Sequence, residues 1–352
     1  MDKNLSEKIK INRQDMGHDI KDSTLKIYVA NIKKLSKKLN DGVETGGANW
    51  LKDIKKVDEN LDKDKDGNHK PLSYTTKRNY YNSIIIYLHA LNSDKKYDDL
   101  IKEYSEERDK LNKQYEDDQA TNTFSEKQGK NMATLDEIHK VITDIGNELK
   151  EKDIKNKKTL NSRERSLLQV YIILNIHLMI PLRNDLANTQ IIQKRAYNKM
   201  TDEDKKQTNF LVTEKTKYWF CLNDYKTSKI YKEKCIEVPN DLKKVLRFYF
   251  RIMNKVPDDF LLTQNDGITP MTRNAISQLL TKTFKKRLDK SISTTLLRKI
   301  YLSHKYGDVK DEMEKDAHLM GHSVQMAQKV YVKKMPDNSK PPEEESSNNK
   351  EQ

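Results

Sequence analysis

Apolar residues recur at helical spacing along most of the chain. Leu25, Tyr28, Val29, Ile32, Leu35 and Leu39 fall three or four positions apart, which puts them on one face of a helix. Asp22 and Ser23 stand where a capping residue belongs, and Lys33, Lys34, Lys37 and Lys38 occupy the opposite face. A second helix is predicted after Thr75-Thr76, with Tyr81, Ile84, Ile85, Leu88 and Leu91 facing inward. Between them, residues 41–69 are rich in Gly and Asp, with Trp50 and Leu51 as an apolar anchor, which predicts loops and one short helix. Residues 100–118 carry sparse apolar positions among many charges and read as an exposed helix. Residues 1–22 are polar and charged and are expected to form a flexible leader.

The pattern changes in the second half. Thr134 and Glu137 form a capping-box signature ahead of Ile138, Val141, Ile142 and Ile145. A helix is predicted from Ser162 to Ile180, stopped by Pro181. Its apolar run is interrupted by Gln169, Asn175 and His177, so it is too polar and too short to cross a bilayer and reads as a core helix. Short runs of β-branched and aromatic residues then appear at 190–193, 209–213, 217–222 and 234–238, bounded by polar turns. Further helices are expected at 240–253 and at 271–288. The latter is capped by Thr272, with Ile276, Leu279, Leu280 and Phe284 inward and Lys282, Lys285, Lys286 and Arg287 outward. The expected architecture is mainly α with a small antiparallel β-sheet. A helical domain (23–120) is followed by a linker (121–133), a second domain (134–335) and an acidic, disordered tail (336–352).

Charge narrows the function. The formal net charge is +13, which favours a polyanionic partner, nucleic acid before an anionic membrane. Residues 271–310 hold ten Lys/Arg against two Asp/Glu, whereas 336–352 hold two against five. The basic face of Lys282, Lys285, Lys286 and Arg287 can lie along phosphates, or can serve solubility alone. Cys221 and Cys235 match no disulfide framework and no metal spacing, so free thiols in a reducing, intracellular compartment are expected. His318 and His322 are four residues apart, but no Glu or Cys completes a zinc signature nearby, and no metal is expected.

The candidate chemistry lies in residues 291–331. Arg298 sits in a helix-like Leu-Leu-Arg-Lys run, His304 follows, then Gly321-His322, and Tyr331 comes nine residues after His322. An earlier arginine, Arg183, stands in Pro-Leu-Arg-Asn-Asp directly after the core helix, with Asp185 two positions on. This ordered set resembles the tyrosine recombinases, the phage-integrase family. The helical first domain resembles that family's core-binding domain in architecture only. The resemblance implies that Tyr331 attacks a DNA phosphate, that Arg183, Arg298 and His322 stabilise the charged transition state, and that a hairpin lysine protonates the leaving 5′-oxygen. Lys226 is the first choice for that acid, with Lys229 as competitor. Asp185 and His304 are expected to be structural, and no cofactor is required.

Two departures stand out. Thr295 occupies a position where most family members carry histidine, though its hydroxyl can still bond a phosphate oxygen. The interval from Arg183 to the lysine is also long, as if residues 194–207 were inserted. The implied partners are double-stranded DNA and further copies of the chain, a tetramer on DNA, with no membrane. The style of the arginine motif resembles integrases of viral or mobile-element origin. Three rivals stay open: a type IB topoisomerase, a catalytically silent DNA-binding protein with the same fold, and a helical scaffold unrelated to nucleic acid.

Overall fold

A computed structural model describes residues 4–63, 71–92, 94–120, 125–206, 208–225, 228–320 and 324. The chain divides into two compact units, Met1–Phe124 and Ser125–Gln352.

The first unit is helical: α1 (Leu5–Asp15), α2 (Asp22–Leu39), α3 (Ile54–Lys63), α4 (Tyr74–Leu91) and α5 (Asp98–Ala120). Leu25, Ile32, Leu35 and Leu39 of α2 meet Ile84, Ile85 and Leu88 of α4 in one core, while Lys33, Lys34, Lys37 and Lys38 stay exposed. Two expectations are corrected here. Residues 5–15 form a helix seated in that core by Leu5 and Ile9, one turn apart, so the polar leader is largely structured. Helix α5 is not merely exposed: Tyr104 is fully buried and donates to the Leu51 carbonyl at 2.7 Å. Tyr87 donates likewise to the Gly47 carbonyl at 2.7 Å, and Gly47 has φ of +70°, a conformation that favours glycine. Both tyrosines contribute apolar surface and also tie down the loop between α2 and α3.

The second unit opens with α6 (Glu126–Gly129) and α7 (Leu135–Glu151), the latter carrying the complete Thr134–Glu137 capping box. Helix α8 (Ser162–Met179) runs through the core. Its three polar interruptions all have partners: Gln169 accepts from the Thr263 amide, Asn175 donates to the Tyr171 carbonyl, and His177 bonds the Ile173 carbonyl. Such pairing makes a polar side chain tolerable in a dry core. Beyond it come β1 (Gln190–Gln193), α9 (Lys194–Tyr197), α10 (Asp202–Lys205), β2 (Phe210–Thr213), β3 (Tyr218–Leu222), α11 (Ser228–Tyr231) and β4 (Lys234–Glu237). The unit closes with α12 (Asn240–Met253), α13 (Arg273–Leu288) and α14 (Thr294–Leu319).

The fold is mainly α with a small sheet in the order β1-β2-β3-β4, but the sheet is mixed, not antiparallel. β1 and β2 run parallel, with Gln190 opposite Phe210, while β2–β3 and β3–β4 are antiparallel. A parallel pair needs a crossover connection, and the stretch holding α9 and α10 supplies it. That stretch also covers the sheet's second face. Leu211 and Phe220 point into the main core, whereas Phe210, Val212 and Cys221 pack beneath Tyr197 of α9. The free-thiol expectation is corrected as well. Cys221 and Cys235 lie directly opposite each other on β3 and β4 and are joined by a disulfide. Fourteen residues separate them in sequence, a spacing that resembles no framework until the strands are placed in register. Among the described residues no helix is long and apolar enough to cross a membrane.

Candidate active site

Helix α8 ends at Ile180, and Pro181 prevents its continuation. Arg183 follows in extended backbone, immediately before a tight turn at Asn184–Leu186, and its side chain is exposed. Arg298 reaches the same place from the start of α14, a helix capped by Ser293. Both arginines line one cleft of 470 Å³, together with Asp185, Leu222, Tyr225 and Lys234. The sequence separation is over a hundred residues; the fold brings the two guanidiniums to one opening.

The electrostatics of this cleft are under tension. Arg298 is half-buried, and its pKa is lowered by burial first and by the nearby Arg183 charge second, with Asp185 acting in the opposite direction. Its Nε is buried and has no hydrogen-bond partner among the described residues. Arg183, Arg298 and Lys234 share the opening with the acids Asp185 and Glu233, and guanidiniums so placed can give a phosphate several charge-assisted hydrogen bonds. Asp185 is itself buried, and desolvation raises its pKa against the pull of Arg273, Arg183 and Arg298, in that order.

His177 lies on α8 and feels the Arg298 charge. It is fully buried, its Nδ1 bonds the Ile173 carbonyl at 2.9 Å, and its Nε2 has no partner among the described residues. Burial, with a smaller contribution from the Arg298 charge, pushes its pKa down to about 4, so the ring is neutral at physiological pH.

The other expected residues are distributed as follows. Thr295 is exposed on the first turn of α14, and His304 is exposed further along the same helix. Lys229 falls in α11. Lys226, His322 and Tyr331 lie outside the described residues, as does the short helix expected before Tyr331. On α13, Lys285 pairs with Asp289 at 2.6 Å and Arg287 with Glu148 at 2.6 Å. Lys282 and Lys286 are exposed, and no acid pairs with either among the described residues.

Several residues near the cleft carry no motif. Arg273, the first residue of α13, donates to the Asp224 carbonyl at 3.1 Å and to its carboxylate at 3.2 Å, and stands 3.9 Å from the Asp185 carboxylate. Asn209 is buried at the entry to β2 and bonds both Asp185 and Asp224. Their only sequence signal is position: one polar residue ahead of a β-run and one arginine after a helix cap. Cys221, Cys235 and Glu233 bring potential metal-ligand atoms within 4.8 Å of one another, but the disulfide occupies both sulfurs.

No family model matches the chain, and no curated protein does. A crystal structure of XerA recombinase is similar over 93% of this chain and 92% of that one, with a TM-score of 0.31 and 12% identity. A likeness at that level carries no weight in the assignment below.

Proposed function

We propose that the chain is a DNA strand-transfer enzyme of the tyrosine-recombinase kind, cleaving and rejoining strands through a 3′-phosphotyrosyl link. The observation that carries this reading is the convergence on one cleft of Arg183 and Arg298, which stand in two motifs more than a hundred residues apart in the sequence. In this reading the Tyr331 phenol loses its proton to solvent as its oxygen forms a bond to the scissile phosphorus. The bond to the 5′-oxygen breaks, and that oxygen takes a proton from Lys226 or Lys229. Arg183, Arg298 and His322 offset the charge on the non-bridging oxygens. The 5′-hydroxyl of a second strand reverses the step, and four copies of the chain assemble around the DNA. Lys282, Lys285, Lys286, Arg287 and Thr295 contact phosphates. Integration or resolution of viral or mobile-element DNA is the biological setting proposed.

Thr295 favours one rival, a DNA-binding protein that keeps the fold without the chemistry. Covalent trapping separates the two. Supercoiled DNA or a nicked duplex from the chain's own genome is incubated with protein and quenched in detergent. The expected result is a protein–DNA adduct with the wild type and none with Tyr331→Phe. DNA binding without any adduct in the wild type would establish the silent binder. An adduct persisting in Tyr331→Phe would move the nucleophile to another residue.

A further inference from the structure

Asn209 uses its whole hydrogen-bonding capacity on two backbone segments. Its Nδ2 donates to the Asp185 carbonyl at 2.9 Å and to the Asp224 carbonyl at 3.0 Å. Its Oδ1 accepts from the Asn223 amide at 2.8 Å and from the Asp224 amide at 2.9 Å. An amide offers two donors and two acceptor sites, and here all four are engaged at 3% exposure. Asp185 is two residues after Arg183, and Asp224 is two residues before Lys226. One buried side chain thus bridges the arginine turn and the start of the segment that holds both candidate acids.

A second bridge spans the same gap from the solvent side. Arg273 holds Asp224 by two hydrogen bonds and faces Asp185 at 3.9 Å. Its own backbone is held in turn, because Asn184 donates to the Arg273 carbonyl at 3.1 Å and to Ser277 Oγ at 2.9 Å. The first turn of α13 is therefore locked onto the residue next to Arg183. Both bridges connect the two parts that proton transfer during cleavage requires to be in register.

We propose that Asn209 and Arg273 are positioning residues, which hold Asp224, the last described acid before the segment carrying the candidate lysines, against the turn that follows Arg183. The proposal rests on the strand-transfer reading. Its test uses a leaving group that needs no acid. In a 5′-bridging phosphorothiolate, the Tyr331 phenol gives up its proton to solvent as its oxygen bonds to phosphorus, the phosphorus–sulfur bond breaks, and the electron pair leaves on sulfur as a thiolate. Thiols ionise near neutral pH, so no proton donor is required.

The experiment compares full-length wild type, Arg273→Gln and Asn209→Ala in single-turnover cleavage of a nicked duplex, at a site located by sequencing the wild-type adducts. The scissile link is oxygen in one substrate and sulfur in the other. Arg273→Gln is the decisive variant, since the side chain is about half exposed (47%) and its loss leaves the core intact. The expected result is a loss of about tenfold or more on the oxygen substrate, within the range of general-acid catalysis. On the sulfur substrate, cleavage should be within about threefold of wild type, since the step no longer depends on proton transfer. Arg273→Lys should recover part of the oxygen rate. Unchanged cleavage of both substrates by Arg273→Gln would overturn the proposal. So would an equal loss on both, which would mean that the bridge supports the arginines or the fold. Failure to recover any wild-type adduct when the site is sought would instead overturn the strand-transfer reading itself, and this proposal with it.

Discussion

Arg183, Arg298 and His177 differ sharply in burial. Arg183 is exposed and Arg298 half-buried, so Arg298 loses more hydration and depends more on an incoming anion. Replacing either arginine by alanine is expected to slow cleavage by about 10²–10³-fold, the scale of one lost transition-state donor, with a smaller change in DNA affinity. Adduct formation timed against filter binding measures both. His177 gives a prediction about stability. Its folded-state pKa of about 4 lies below the ordinary 6.5, so below pH 6.5 the unfolded chain binds the extra proton and the folded chain does not. This contribution is complete above pH 6.5 and is lost as the pH falls toward 4, by about 3 kcal/mol in total. Urea midpoints at pH 5 and pH 7.5 should therefore differ more in wild type than in His177→Leu. An equal difference in both proteins would place the acid sensitivity elsewhere.

Element by element, the ends and edges of structure matter more than the interiors. The Thr134–Glu137 box satisfies two backbone donors at the start of α7, and Glu137 is held from the other side by Lys290 at 2.8 Å. Thr134→Ala is expected to lower stability by about 1 kcal/mol, read from the urea midpoint, with cleavage unaffected. On the far side of the sheet, the Cys221–Cys235 disulfide closes β3 onto β4 across the segment that leads from Asp224 through α11. A loop of this length stabilises a fold by about 3 kcal/mol in the chain-entropy account. Reductant should lower the denaturation midpoint of the wild type and leave a Cys221→Ser, Cys235→Ser double variant unchanged. Identical midpoints for wild type with and without reductant would show that the bridge adds nothing to stability.

For the whole chain, the net charge of +13 is a statement about partners. Binding to duplex DNA should weaken steeply with salt, as counterions released from phosphates are held back. The four basic positions of α13 should not contribute alike. Lys285 and Arg287 already hold acids, whereas Lys282 and Lys286 do not pair with any described acid. Lys282→Gln and Lys286→Gln should each flatten the slope of log affinity against log salt by about 1 if they contact phosphates, and Lys285→Gln by less. Slopes unchanged from wild type in all three variants would mean that this face does not meet DNA. Each of the two compact units has its own core, so the first unit's helices and the second unit's cleft are separate contributions to any such interface.

Much of the fold was legible because its signals are local. Periodicity marked α2, α4, α7, α8, α12 and α13, capping chemistry marked the starts of α7 and α13 but not of α2, where no side chain caps the helix, and the change to short β-runs located the four described strands within a residue or two. Pro181 marked the end of α8 and with it the place of Arg183. What the chain order could not convey was everything that depends on partners distant in sequence. Helix α1 and the burial of Tyr104 rest on a core assembled from α2 and α4. The parallel pairing of β1 with β2 depends on the crossover taken by α9 and α10, and the disulfide on the register of β3 against β4. Asn209 and Arg273 carry no motif because their bonding is to backbone and to acids far away in sequence, Asp224 and Asp185 among them. Residue types and spacing determined which chemistry the chain can attempt; the packing of α8, α13 and α14 around the sheet decided which groups share one cleft, because proximity in space is set by the core and not by the order of residues.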